Sequence, residues 1–510
     1  MINTTAQNTI KNSIYNFIGF LLPILILVIF TPIIISKLGV RDYGIFIFLN
    51  TVLTFLGLLD LGIGTATNKH VIEYYSTNQT DRLKKLLYSM NSIYLIMAFV
   101  YLFVCITIGL VMQKFFVKPG TETDYFILFL ILGLTGFVGA FFANFNNSII
   151  AMQRYDIYLK ISSIFLLLSN ISMLVLASLG YKLVPILAVQ LFLSLFSGLS
   201  FFFIAKKVLS SLKLKYAWDK IELIKNYKFA LPVAFNNLAS SSLVHFDKLL
   251  VPMFYGSAAL TYYSVPGSVA TKISTISGTF SSLLFPITVN LQALNDTEKI
   301  KRVYIRSVRL ITILSSAIAL SIIFTADKIL LYWLNDSFVK QSAVVLILLV
   351  LTNFVLALFS PLSNLLMAMN KMRFLTTGSV IMALINIITL FIFLPKYGIN
   401  GAALSYLISV LFVFYMFHFA EKKYFSIKEN IHLKLLIKII LTTIPFFVIT
   451  RFLLYPLITS FVTLALVGPT CVLLFLLLYK VLGFVEIEDW RDFLLSFRNI
   501  LVKLKLKNNL

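Results

Sequence analysis

The sequence predicts an all-α polytopic membrane protein with about fourteen transmembrane helices, and three observations predict it. Hydrophobic residues make up 59% of the 510-residue chain, charged residues only 12%, and the mean hydropathy is +0.95. Soluble domains carry about twice that share of charge. Apolar runs of about 20 residues recur along most of the chain, the length at which a helix crosses the hydrocarbon of a bilayer. These runs lack the alternation of polar and apolar residues that marks the strands of a membrane barrel.

The first run, 14–36, follows Lys11. It is too long for the apolar region of a signal peptide and no small-residue cleavage pattern follows it, so it reads as an uncleaved first span. Five more spans are expected at 44–66, 89–112, 125–150, 158–180 and 183–205. A second set of six is expected at 229–254, 261–290, 308–326, 342–368, 374–394 and 399–418, and a final pair at 434–452 and 457–482. The organisation this implies is an N-lobe (1–206), a basic amphipathic linker (207–228), a C-lobe (229–420), spans 13 and 14 (421–485) and a basic amphipathic tail (486–510).

Charge sets the orientation. The formal net charge is +23. Most of the 43 lysines and arginines fall in connectors on the side of the N-terminus, and few fall on the other. The positive-inside rule then puts both termini in the cytoplasm and accounts for the basic balance without nucleic acid. The connector "AKKVLSSLKLKYAWDKIELIKNYK" (205–228) and the tail "EIEDWRDFLLSFRNILVKLKLK" (486–507) mix cations with apolar residues at helical spacing. Both are expected to lie on an anionic leaflet as interfacial helices. The two cysteines, Cys105 and Cys471, sit inside apolar runs, so neither a disulfide framework nor a metal site is expected.

The halves resemble each other. "NSIIAMQRYDIY" (147–158) aligns with "NLLMAMNKMRFL" (364–375), placing Asn147 on Asn364 and Arg154 on Lys371. The same offset of 217 residues carries Gly39 of "KLGVRDYGIF" onto Gly256 of "FYGSAALTYYS". Two matches at one offset predict a duplicated six-helix unit, two lobes related by a pseudo-two-fold axis, with the C-terminal helix pair outside the repeat. In such transporters the site lies between the repeats.

Several segments resemble the polysaccharide-transport branch of the MATE-like MOP exporter superfamily, the lipid-linked oligosaccharide flippases. They are "ISKLGVRDYGIF…LLDLGIGTA" (35–66), "AMQRYD" (151–156), "ALPVAF…FDKLLVPMFYGSAALTYYSVPGSV" (230–269), "SSLLFPITVNL" (281–291) and "NLLMAMNKMRF…LPKYGINGAALSYLIS" (364–409). The resemblance covers roughly residues 10–420 and rests on the ensemble rather than on one motif. It implies a V of two lobes around a cationic central cavity, working by alternating access in the bacterial cytoplasmic (inner) membrane. The implied cargo is an undecaprenyl-pyrophosphate-linked oligosaccharide, such as an O-antigen repeat unit of lipopolysaccharide or a capsule unit. Membrane lipids and a polysaccharide polymerase are the further implied partners, with no cofactor. Fourteen spans resemble the lipid II flippases, but the first span carries no arginine where those are expected to have them.

Such a cargo needs cations for its phosphates and hydrogen-bonding groups for its sugar, because an unpaired charge cannot be buried in hydrocarbon. Lys272 is the leading candidate. It lies in "YSVPGSVATKISTISGTFSSLLF", rich in Ser, Thr and Gly, about a dozen residues or roughly 18 Å from the outer end of its span. An ion at that depth is a functional candidate by default, the alternative being a buried ion pair. In "SSSLVHFDKLLVPMFYG" (240–256), His245 and Lys248 share a helix face while Asp247 is turned about 100° from its neighbours. Either His245 and Lys248 face the cavity while Asp247 pairs with a neighbouring helix, or Asp247 and Lys248 snorkel or pair near the outer third of the span.

Asp247 and Asp60 are candidates for a coupling proton or sodium ion, Asp60 also for a structural role. Arg154 and Lys371 either meet the pyrophosphate at the inner leaflet or simply anchor it there. Asn147, Asn236 and Asn364, with Asn144, Asn146 and Asn237, either contact sugar or bond between helices. Two rivals stand beside the flippase. A polymerase or ligase would need a large outer loop with catalytic groups, and the outer connectors are short. A multidrug antiporter of the same superfamily would favour an acidic, aromatic cavity. His70, His245, His418 and His432 lack metal-ligand spacing, and no phosphate-cradling loop or nucleophile motif occurs, so no enzyme is expected.

Overall fold

The computed structural model describes residues 22–115, 124–209, 213–427 and 431–484. The start of the first predicted span and the basic tail, with its predicted interfacial helix, lie outside them. No strand occurs among the described residues, and ten of their helices are long and apolar enough to cross a membrane. The chain divides into two compact units, Met1–Thr261 and Tyr262–Leu510.

In the first unit, α1 (Leu22–Leu38) turns at Gly39 into α2 (Val40–Gly57). The sequence predicts one continuous span over 44–66. Instead the chain makes a single 3-10 turn at Leu58–Asp60, passes through left-handed Leu61 and Gly62, and restarts as α3 (Ile63–Ser76). Asp60 explains the break: its Oδ2 accepts the Gly64 N–H at 3.0 Å, capping the new helix. There follow α4 (Thr80–Phe115), α5 (Tyr125–Ala151), α6 (Tyr155–Ser178) and α7 (Leu183–Val208). Ile34, Met173, Ala177 and Ile186 knit α1, α6 and α7 into one apolar cluster.

Of the connector after α7, where an interfacial helix is expected, the described part is helical only from Lys220 on. Lys213–Asp219 is not helical. It runs along α4 as a strap, its backbone held by polar side chains of that helix. The Asn91 amide donates to the carbonyls of Lys213 and Lys215, both at 2.9 Å. Ser92 donates to the Ala217 carbonyl at 3.0 Å, and Ser89 accepts the Asp219 N–H at 3.0 Å. Asp219 then caps α8 (Lys220–Ser282), accepting from the N–H groups of Ile221 and Glu222, each at 3.1 Å. The Glu222 N–H, helped by Lys85, holds the Asp219 carboxyl below its usual range against the opposing effect of burial.

Predicted spans 7 and 8 (229–254 and 261–290) fall on α8, which is interrupted at Gly256, and on α9 (Leu284–Ala293). The second unit begins within α8 and adds α10 (Thr297–Phe324), α11 (Ala326–Trp333) and α12 (Asp336–Ala368). Ser342 donates to the Tyr262 carbonyl, Ser274 to Asn353, and Ser281 meets Ser360, at 2.7, 2.8 and 2.6 Å. The separation along the chain stays near 80 residues at all three contacts, so the end of α8 and α12 run parallel. Next come α13 (Met372–Val410), broken at Gly398, and α14 (Phe412–Tyr424). The predicted final pair corresponds to α15 (Ile431–Ile449) and α16 (Phe461–Val481), joined through a π turn at Thr450–Leu454 and a 3-10 turn. Phe446, Phe475 and Ala317 pack these two helices on α10.

Backbone geometry repeats at the 217-residue offset. Gly39 and Gly256 have φ of 87° and 80°, values that an L side chain adopts only at a cost. Asn78 and Asn295 (55° and 53°) and Gln153 and Asn370 (56° and 58°) pair in the same way. These are four of the six non-glycine positive φ angles among the described residues. After the last pair, the N–H groups of Arg154 and Lys371 close on Ile149 and Leu366 at 3.1 and 2.8 Å. A contact within the first unit is reciprocal under this offset. A Cβ on Gly44 would sit 1.8 Å from the Ser257 carbonyl oxygen, and Thr261 donates to the Val40 carbonyl at 2.7 Å. Val40 and Gly44 correspond to Ser257 and Thr261.

Candidate functional site

The polar faces of α8 carry the strongest candidates. In the second unit, Lys272 is half-buried and has neither a hydrogen-bond nor an ion-pair partner among the described residues. Ser268, Thr275 and Thr279 lie three, four or seven residues away and share its face, with Thr275 and Thr279 exposed. Their hydroxyls donate to their own helix, Thr275 to Thr271 at 2.8 Å and Thr279 to Thr275 at 2.9 Å, leaving oxygen lone pairs outward. The opposite face of the helix is spent on α12 through Ser274 and Ser281. The packing therefore turns the lysine and its hydroxyls away from that seam. Such a surface can take water, an anion or a polyol.

In the first unit, Lys248 Nζ lies 3.5 Å from His245 Nδ1, as their three-residue spacing predicts. Both are half-buried, whereas Asp247 is only 1% exposed. Its carboxylate accepts the Lys248 N–H at 2.8 Å. Thus His245 and Lys248 come together and Asp247 is turned inward.

Asp60 forms a separate centre. The hydroxyl of buried Tyr94 faces it, and Asn147 donates to that hydroxyl at 3.0 Å. Asp60 Oδ1 is sealed without a partner among the described residues. Asn147 therefore bonds between helices here, and its counterpart Asn364 donates within its own helix to Ser360 at 2.9 Å. Asn144 bridges the Leu87 carbonyl and Asn91 at 3.0 and 2.7 Å. Asn236 is half-buried near the middle of α8's first half.

Arg154 and Lys371 sit at matching helix starts, both exposed. Arg154 grips Asp156 with two bonds of 3.0 and 3.1 Å, which offsets much of its charge. Lys371 lies over the Tyr424 ring at 5.5 Å.

Sequence reasoning passed over two polar centres. The first fastens α8 to α3: Tyr74 donates to Glu222 at 2.5 Å, Asn226 to Thr67 at 3.2 Å, and Lys225 pairs with Glu73 at 3.1 Å. His70 and Lys225 together hold the Glu73 carboxyl below its usual range. The second is a buried trio in the other unit. Tyr304 donates to Glu421 at 2.7 Å, and His432 Nε2 lies 3.1 Å from the same carboxylate oxygen. Asn91 and Tyr94, polar and three apart in an apolar span, were the available signal for the α4 partners. The trio gave none, since its members are spread over three distant segments.

A sequence profile described as "Polysaccharide biosynthesis protein" matches residues 38–344, more than half of the chain. The chain belongs to this family. A Shigella flexneri family relative, provisionally described as an O-antigen transporter, is 21% identical over 436 residues, covering 83% of this chain and all of the relative. Among solved structures, the lipid II flippase MurJ in an inward closed conformation aligns with a TM-score of 0.72 and 18% identity. That alignment covers 93% of this chain and 99% of MurJ. An inward-facing multidrug MATE transporter of the MOP superfamily aligns at 0.57 and 13% identity, over 82% and 96% of the two chains. This polysaccharide biosynthesis protein is therefore a multi-pass membrane protein of the MOP-type fold, and its relatives are transporters and flippases rather than enzymes.

Proposed function

We propose that the chain is a flippase that moves undecaprenyl-pyrophosphate-linked oligosaccharide repeat units from the inner to the outer leaflet of the bacterial cytoplasmic membrane. In this reading both termini are cytoplasmic. About fourteen spans form two six-helix lobes, related by the 217-residue repeat, plus a C-terminal pair. The lobes rock about a fixed cationic site, and the exported unit passes to a polysaccharide polymerase. Membership of a polysaccharide biosynthesis family and the O-antigen transporter relative support the cargo class. The paired turns at 39 and 256, 78 and 295, and 153 and 370 support the duplication.

The observation that carries the reading is Lys272. An ammonium at membrane depth is costly unless it meets water or an anion, and this one has no acidic partner among the described residues and lies beside a row of hydroxyls. Lysine serves phosphate as a point charge, while hydroxyls suit sugar. His245 and Lys248 are proposed as further phosphate contacts. Arg154 and Lys371 are assigned to the entry side, and Asn147, Asn236 and Asn364 to sugar contact or to bonding between helices. A head group with about two negative charges leaving an inside-negative cell gains roughly 2.3 kcal/mol per charge per 100 mV. The potential can therefore drive export, with Asp247 and Asp60 the candidates if an ion is coupled.

Lys272→Ala is expected to abolish export, with lipid-linked sugar accumulating on the inner leaflet while protein level stays normal. Full complementation by that variant sinks the assignment. The lipid that accumulates on deletion separates the alternatives. A repeat unit supports this reading, and lipid II supports the lipid II flippase whose fold the chain shares. Drug sensitivity without any trapped lipid supports the MATE-type cation-coupled antiporter.

A further inference from the structure

At the start of α8 an open trench of about 680 Å³ is lined by Trp218, Lys220, Ile224, Tyr227, Lys228 and Leu231, among others. From Lys220 on, its positions recur at helical spacing and form one face of α8, and Trp218 joins them from the strap just before the helix. The opposite face, through Glu222 and Asn226, is buried, and Leu223 at the trench's edge is buried with it. Trp218 is 65% exposed and Leu231 52%. The apolar surface is thus outward and uncovered by the described residues, and two lysines stand on its wall.

The charge balance around the trench is uneven. The neighbouring acids are already taken: Glu73 by Lys225 at 3.1 Å, Asp219 by Lys85 at 3.5 Å, and Glu222 by Tyr74 at 2.5 Å and Arg82 at 3.6 Å. Lys220 and Lys228 have no acidic partner among the described residues. They are eight residues apart, about 12 Å along the axis. Both side chains lean the same way, toward the helix N-terminus, so that spacing is kept, and it is the flexible four-carbon stems that let the two ammonium groups reach a phosphate lying between them. Trp218 and Tyr227 are the residue types that sit at the head-group boundary, and Ile224 and Leu231 continue as an apolar floor.

We infer that this trench is a binding site for an anionic glycerophospholipid, with its phosphate between Lys220 and Lys228 and an acyl chain along Ile224 and Leu231. The occupant is fixed by the chemistry of the walls: an unpaired pair of cations next to an uncovered apolar strip suits an anionic amphiphile. A zwitterionic lipid would leave the two cations unsatisfied. The site shares no residue with the Lys272 face and does not depend on the flippase reading; it needs only a membrane.

The test uses the full chain with Trp333→Phe and Trp490→Phe, which leaves Trp218 as the sole remaining tryptophan of three. It is reconstituted in phosphatidylcholine bilayers containing a minor share of dibrominated lipid. Dibromo-phosphatidylglycerol is expected to quench Trp218 half-maximally at a mole fraction about 5-fold lower per lysine engaged than dibromo-phosphatidylcholine does. Lys220→Gln with Lys228→Gln should erase the difference. Coincident curves for the two lipids overturn the proposal, as does a preference that survives both substitutions. A third overturning outcome is undecaprenyl pyrophosphate displacing the brominated lipid better than plain phosphatidylglycerol, which would make the trench a port for cargo. Native mass spectrometry of the chain with all three tryptophans gives the same answer without the reporter. One retained phosphatidylglycerol should vanish in the double lysine variant, and an unchanged count refutes the site.

Discussion

Lys272 was legible in the sequence because a cation among serines and threonines stands out against a hydrocarbon-length run. The trio of Tyr304, Glu421 and His432 was not, since each residue alone looks like an ordinary span-end polar group. Burial makes the trio matter. Tyr304 is fully buried, Glu421 is 2% exposed, and the ring of Phe425 stacks on Tyr304 with centroids 4.6 Å apart. Removing the hydroxyl leaves a buried carboxylate short of a donor, which costs about 1–3 kcal/mol. Tyr304→Phe should therefore lower the melting temperature of the detergent-solubilised protein while leaving the Phe425 stack in place. Adding Glu421→Gln should cost less than the sum of the two single changes, as expected of residues in contact. A wild-type melting curve for Tyr304→Phe would show that the bond contributes nothing.

Elements were predicted best where hydropathy alone defines them. The helices Tyr125–Ala151 and Phe461–Val481 lie close to the expected 125–150 and 457–482. The break at 58–62 and the strap at 213–219 were missed for a common reason: each depends on a side chain that satisfies the backbone from outside the local pattern. Asp60 does so from four residues away, and Asn91 from more than a hundred. Asn91→Ala deprives the Lys213 and Lys215 carbonyls of their donor and removes one of Asn144's partners. The strap should loosen from α4, and trypsin should cut after Lys213 or Lys215 several-fold faster than in the unaltered protein, with the rest of the digestion pattern unchanged. Equal cleavage rates would mean that Ser89 and Ser92 suffice to hold it.

For the molecule as a whole, the 217-residue offset of the two sequence matches is also the spacing of paired left-handed turns in the backbone. The reciprocal contact of Val40 and Gly44 with Thr261 and Ser257 had no sequence signature beyond a glycine. Gly44 is required because any side chain there would strike the Ser257 carbonyl. In the proposed orientation these residues lie at the outer ends of their helices. Alternating access then demands that this contact part once in each cycle, so that cargo can leave on the outer side. Cysteines at Val40 and Thr261 test the demand, in a background where the buried Cys105 and Cys471 are replaced by alanine. Joined by oxidation or by a short bifunctional thiol reagent, they should halt export, trap lipid-linked sugar on the inner leaflet, and release it on reduction. Each single cysteine should export normally. Undiminished transport with the crosslink complete would mean that the contact is a static brace, and that cargo leaves by a route that never opens there.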